Sequence, residues 1–120
     1  MSASSPGETP IGEEPLEGCD LVVRSEGRVH HVTPRGDLDL ASCDELDQTL
    51  TQLIDAADEV TVDLREVPFV DSSGLATLVK AARQAAGSGC GFRVADAQPQ
   101  ARRLFELARV GGILGLSDHG

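Results

Sequence analysis

The chain has no tryptophan and no tyrosine, and only three phenylalanines in 120 residues. Proteins that grip single-stranded nucleic acid stack bases on aromatic side chains, so that function lacks its usual platform here. Lysine occurs once, at Lys80; the other basic residues are arginine, and the ten cations face twenty Asp and Glu. The formal charge of -10 opposes binding to nucleic acid or an anionic membrane and favours a basic protein surface as partner. No apolar run approaches the roughly 20 residues that a spanning helix needs. Met1 to Pro6 carries neither the basic nor the apolar segment of a secretion signal. No nucleic acid and no membrane insertion are therefore expected. Cys19, Cys43 and Cys90 are widely spaced, with no C-x-x-C pair and no Cys/His cluster. They predict reduced, mostly buried thiols in a cytoplasmic protein, and no metal or cofactor.

What is present suffices for one small folded unit. Apolar residues make up 40 % of the chain, and the core must come from Leu, Val, Ile and Ala. Residues 1–18 read as an acidic, disordered tail: Ser, Pro and Gly with Glu8, Glu13, Glu14 and Glu17, and no cation. Residues 19–120 read as the domain. Leu21 to Val23 and Val29 to Thr33 flank Glu26-Gly27 as a hairpin, with Pro34 ending or bulging the second strand. Gly36 to Leu40 forms a loop. Ser42 stands three residues before Glu45, the pattern of a capping box. A helix then carries Cys43, Leu46, Leu50, Leu53, Ile54 and Ala57 inward and a solvated acidic face outward.

The strand 60–64 alternates Val60, Val62 and Leu64 with Thr61 and Asp63. A parallel sheet covered on both faces would show unbroken apolar runs, so alternation predicts a mixed sheet with helices mainly on one face. A second helix places Leu75, Leu78, Val79, Ala82 and Ala86 on one stripe and stops at Gly87 to Gly91. That glycine cluster follows a helix and precedes a strand, the reverse of a phosphate loop. Phe92-Arg93-Val94 is a further strand. A last helix runs from about Pro99 to Val110, with Ala101, Leu104, Phe105 and Ala108 inward. Gly111-Gly112 stops it and Ile113-Leu114 begins a terminal strand. The order β-β-α-β-α-β-α-(β) is that of a single α/β domain.

The run Val70-Asp71-Ser72-Ser73-Gly74-Leu75 lies where a buried strand through Val67 to Val70 gives way to a helix. Two hydroxyls stand at the positive end of the helix dipole, beside unpaired backbone N–H groups. Such a place suits an anion, bound or covalently attached. The plainest reading is a capped helix start. A catalytic reading needs the G-x-S-x-G elbow, but Val70 occupies the first glycine position. Its triad would be Ser72, Asp96 and His119, with the histidine next to the last residue, so no base is convincingly placed. The domain is expected not to be an enzyme.

Wider context favours a different role. Gly36-Asp37-Leu38-Asp39 before an amphipathic helix, Val67 to Leu75 after a strand, and Arg102-Arg103-Leu104-Phe105-Glu106-Leu107 followed by Val110-Gly111 resemble the STAS family. The likeness is greatest to bacterial anti-sigma factor antagonists and covers roughly residues 20–116. It implies a STAS-like mixed sheet and a partner-switching cycle. The unphosphorylated antagonist binds an anti-sigma factor that is also a serine kinase, freeing a sigma factor; phosphorylation ends the binding, and a serine phosphatase resets it. The resemblance makes Ser72 the acceptor, with Ser73 its rival, and places Asp37, Asp39, Asp71, Ser73, Gly74 and Leu75 in the partner-binding region. Family members usually continue into a further C-terminal helix, whereas this chain runs to Gly120. The alternative within the family is an interaction module of a transporter-associated or signalling-scaffold complex.

Overall fold

The computed structural model describes residues 20–117. The proposed tail, Cys19 and His119 lie outside them. The hairpin forms as expected: β1, Asp20–Glu26, runs antiparallel to β2, Val29–Arg35, with Val23 opposite Val32. Helix α1, Cys43–Ala56, crosses to β3, Glu59–Asp63. Helix α2, Ser72–Ser88, crosses to β4, Gly91–Ala95. Helices α3, Pro99–Ala108, and α4, Gly111–Leu114, lead to β5, Leu116–Ser117. Every pairing from β2 to β5 is parallel, and the sheet order is β1-β2-β3-β4-β5.

Val32, Val62 and Val94 lie side by side in register across three strands, and all are fully buried. With Val60 they form the inner face. Against it pack Leu46, Leu50 and Ile54, spaced four apart on α1, and Leu78, Ala81, Ala82 and Ala85 of α2. Phe105 of α3 completes the same cluster. Thr61 and Asp63 point the other way, onto an open groove of about 570 Å³ that also takes in Arg24, His31 and Thr33. Alternation along β3 thus reports a sheet covered on one face.

Several local expectations are corrected. Pro34 neither ends nor bulges β2; it lies buried within the strand, opposite Leu21. The β2–β3 pairing stops at Val32, so beyond it one side of β2 faces no strand and a residue without an N–H is tolerated. Ala86 is exposed, because α2 turns Ala81 and Ala85 inward instead. Ala108 is likewise exposed on α3. That helix ends early, with Arg109 in the left-handed conformation at φ +58°. Gly111-Gly112 then opens α4, which buries Leu114, so the terminal strand starts at Leu116 rather than Ile113. The glycine cluster after α2 is a helix stop: Gly89 takes φ +75°, and its N–H donates to the Ala85 carbonyl. Cys43 and Cys90 are buried free thiols.

Candidate functional site

The chain does not pass straight from β3 into α2. Leu64, Val67 and Val70 are buried anchors along a loop, and the expected strand at Val67 to Val70 contracts to one parallel bridge, Leu38 with Val70. This bridge joins the two loops that resemblance had paired. Gly36 N–H donates to the Glu66 carbonyl at 3.0 Å, and Leu38 N–H to the Phe69 carbonyl at 2.9 Å. Asp71 N–H donates back to the Leu38 carbonyl at 3.0 Å. Leu38, wholly buried, pins the first loop to the core.

Within that loop Asp37 is exposed and Asp39 half-buried. Asp39 Oδ1 accepts from the N–H groups of Ala41, at 3.1 Å, and Ser42, at 3.2 Å. The expected capping box does not form. Ser42 has helical dihedrals, φ -104° and ψ -9°, rather than the extended ones a cap needs. Its hydroxyl turns back into the loop, donating to the Asp37 carbonyl at 2.9 Å and accepting from Asp39 N–H at 3.1 Å.

At the start of α2 the cap is Asp71, not Ser72. Asp71 is extended, and its Oδ1 accepts from Ser73 N–H at 2.8 Å and Gly74 N–H at 3.0 Å. Such a cap contributes about 1 kcal/mol. Ser72 is exposed, and its hydroxyl bonds to no other described residue. Ser73 is half-buried, and its carbonyl accepts from Thr77 Oγ1 at 3.0 Å. Gly74 is needed for space: a Cβ there would stand 2.7 Å from the Leu38 carbonyl oxygen and 2.9 Å from Leu38 Cβ. Leu75 packs against the core, and its N–H closes the first helical turn on the Asp71 carbonyl at 2.9 Å.

Beneath this surface lies the Cys43 thiol. Burial pushes its pKa up; a hydrogen bond from Thr77 opposes this, while the charges of Asp71, Asp39 and Asp44 push it further upward. One buried thiol thus lies within electrostatic reach of both loop carboxylates. All seven residues expected at the site, Asp37, Asp39 and Asp71 to Leu75, belong to the two bridged loops and the helix start that follows them.

Three contributors escaped sequence reasoning. Gln100 on α3 accepts from Val70 N–H at 2.8 Å and donates to the Val70 carbonyl at 2.9 Å. Leu40 and Phe69, one on each loop, are 77 % and 43 % exposed. The exposed pair was detectable as apolar residues beside polar loop positions; Gln100 carries no local signal. No histidine bonds to Ser72 among the described residues. His30 Nδ1 pairs with the Ser25 hydroxyl, and His31 with Asp63, while Asp96 accepts from Arg65. The open groove takes in none of the seven expected residues, although Glu66, whose carbonyl accepts from Gly36, lines it. Among the described residues no trio of His, Cys, Asp or Glu is placed to hold a metal, and no helix is long and apolar enough to cross a membrane.

A solved anti-sigma factor antagonist from Mycobacterium paratuberculosis is similar at 25 % identity, with a TM-score of 0.75 over 82 % of this chain and 85 % of that one. The Bacillus cell fate determinant SpoIIAA in its phosphorylated form gives 0.67 at 16 % identity, over 83 % and 93 %. The murine anion transporter Slc26a9 gives 0.65 at 17 % identity, over 78 % of this chain but 16 % of the transporter. At those lower identities the likeness is one of fold. The family model described as "Mlab, STAS domain" matches residues 21–116. On that match, which spans nearly all the described residues, the chain belongs to the STAS domain family.

Proposed function

We propose that this STAS domain is an anti-sigma factor antagonist, switched off by phosphorylation at Ser72. In its unphosphorylated form it binds an anti-sigma factor that is also a serine kinase, releasing a sigma factor in the cytoplasm. A serine phosphatase restores it. The observation that carries this reading is the division of labour at the start of α2: Asp71 takes the capping role, leaving the Ser72 hydroxyl exposed and bonded to no other described residue. Ser73, the rival acceptor, is less exposed. The similar antagonist from Mycobacterium paratuberculosis supports the partner class, and the phosphorylated form of SpoIIAA supports the chemistry.

A phosphate adds about -1.5 to -2 charges at neutral pH. At the first residue of α2 the helix dipole favours it, typically by 0.3–1 kcal/mol, so the fold survives. The switch acts instead at the interface, by bulk and by repulsion from partner carboxylates. Asp37, Asp39 and Asp71 call for a basic rim on the partner, and Leu40 and Phe69 for apolar pockets beside it.

The test incubates the purified protein with candidate anti-sigma kinases and ATP, then locates phosphate by mass spectrometry. Phosphate is expected on Ser72, and its absence with every cognate kinase defeats the proposal. In a binding assay Ser72→Asp loses the partner and Ser72→Ala keeps it. The fold likeness to a domain of Slc26a9 favours a second reading, a module in a transporter complex. A partner held equally by Ser72→Asp and Ser72→Ala would select it.

A further inference from the structure

We infer that Gln100 is a positioning residue for Ser72, its side-chain amide standing in for a missing strand beside Val70. The inference rests on the reading of Ser72 as a phosphate acceptor. Val70 is fully buried and lies two residues before Ser72. Its chain neighbours bond to the first loop: the Phe69 carbonyl accepts from Leu38, and Asp71 N–H donates to Leu38. In a parallel pairing of this kind the residue between them points its own N–H and C=O to the opposite side. Among the described residues no strand lies there. The Gln100 amide fills the place, accepting from Val70 N–H at 2.8 Å and donating to the Val70 carbonyl at 2.9 Å. An amide side chain carries a donor and an acceptor in one plane, as a backbone peptide does.

Two neighbours reinforce the seam. Gln98 Nε2 donates to the Arg65 carbonyl at 2.8 Å, and Arg65 Nη2 donates to Asp96 at 3.0 Å. Residues 96–100 are thereby stitched to the loop 65–70. The peptide between Val70 and Asp71 is held at both ends: its carbonyl by Gln100, its N–H by Leu38. That peptide sets the direction from which Asp71 enters its cap, and so where Ser72 points. Released from Gln100, the loop samples other orientations, and a kinase meets a smaller competent fraction. A reduced competent fraction raises KM and leaves kcat nearly unchanged.

The test uses the full chain and a kinase that phosphorylates wild-type Ser72, at a temperature where circular dichroism shows each variant folded. Gln100→Ala is expected to raise KM about tenfold with kcat within about twofold. The Val70 amide, followed by hydrogen exchange, loses protection. Gln100→Glu, nearly the same shape, guards against a variant that fails to fold. Ionised, it still accepts from Val70 N–H but cannot donate to the Val70 carbonyl; protonated, it does both, so its KM gap from wild type closes as pH falls through the carboxyl's titration. A merely structural role predicts no such closing. Unchanged KM with an unprotected Val70 overturns the inference, and unchanged Val70 exchange overturns the clamp itself. If no kinase marks wild-type Ser72, the switching reading fails instead, while Val70 exchange still decides the clamp.

Discussion

The open face of the sheet and the Ser72 end use polar groups in opposite ways. On the open face side chains pair mainly with side chains, although Asp63 also accepts from the Arg65 backbone N–H. Asp63, 2 % exposed, accepts from Arg65 and His31; Arg65 also reaches Asp96; and Arg93 pairs with Glu59 at 2.6 Å. At the Ser72 end side chains pair with backbone: Asp71 caps α2, Asp39 closes its own turn, and Gln100 clamps Val70. The first arrangement neutralises charge and leaves little to offer a partner. The second holds two loops in shape while their tips stay exposed: the Ser72 hydroxyl, Asp37, and apolar Leu40 and Phe69. Charge alone does not tell the two regions apart; what most of their side chains bond to does.

The most severe break of this contrast is at Gly74. Any Cβ there meets the Leu38 backbone, which cannot swing aside as a flexible side chain can. Gly74→Val is expected to cost about 3 kcal/mol in urea unfolding, by overpacking. It should also weaken Ser72 phosphorylation, because the loops must part. A cost under about 0.5 kcal/mol, the range of ordinary surface changes, would show that the loops are not tightly joined.

Next comes Asp63, which tests whether the paired face is purely structural. Burial pushes its carboxyl up, but hydrogen bonds from the Arg65 backbone, the Arg65 side chain and His31, with the Arg65 charge, outweigh this and hold it below the ordinary value of 3.8. Asp63→Asn should cost about 2 kcal/mol at neutral pH, the scale of charge-assisted hydrogen bonds. The sign of the pH dependence follows from the lowered value. The ionised group's contribution is complete above 3.8 and is lost as pH falls through the native-state pKa. The gap between wild type and Asp63→Asn should therefore be level near neutrality and narrow in acid. Binding at Ser72 should be unaffected; a lost partner would show that the two ends are coupled.

At the cap, Asp71→Ala should cost about 1 kcal/mol, and Asp71→Asn much less, since its side-chain oxygen still accepts. Thermal unfolding of the two variants separates capping from charge. This position also shows what sequence can reveal. The strands and helices were legible because Val60 and Val62, or Leu46, Leu50 and Ile54, repeat with the period of their element. Asp71 to Gly74 was legible as a helix start because capping is local, although which residue capped was not. Ser42 failed as a cap for the same reason that Gln100 was missed. Both are decided by groups outside the local pattern: Ser42 by the carbonyl of Asp37 and the N–H of Asp39, Gln100 by Val70 thirty residues away. Pro34 fits within β2 because β3 leaves β2 at Val32, which no local pattern around the proline shows.

The smallest effect on stability is expected at Leu40, and it separates the two regions most cleanly. Leu40 is 77 % exposed and contributes little to the core, so Leu40→Ser should change unfolding free energy by no more than about 0.5 kcal/mol. A docked partner would bury it, and an apolar anchor of that kind is worth more than about 1 kcal/mol when truncated. The expected result is a partner affinity about tenfold weaker, measured by calorimetry, with an unchanged melting curve. On the open face Thr61→Ser serves as the matched control, since it keeps the hydroxyl and should leave affinity as it was. Loss at Thr61 without loss at Leu40 would move the interface to the groove. Loss at Leu40 alone would tie recognition to the loop that carries Asp37 and Asp39, beside the serine proposed as the phosphate acceptor.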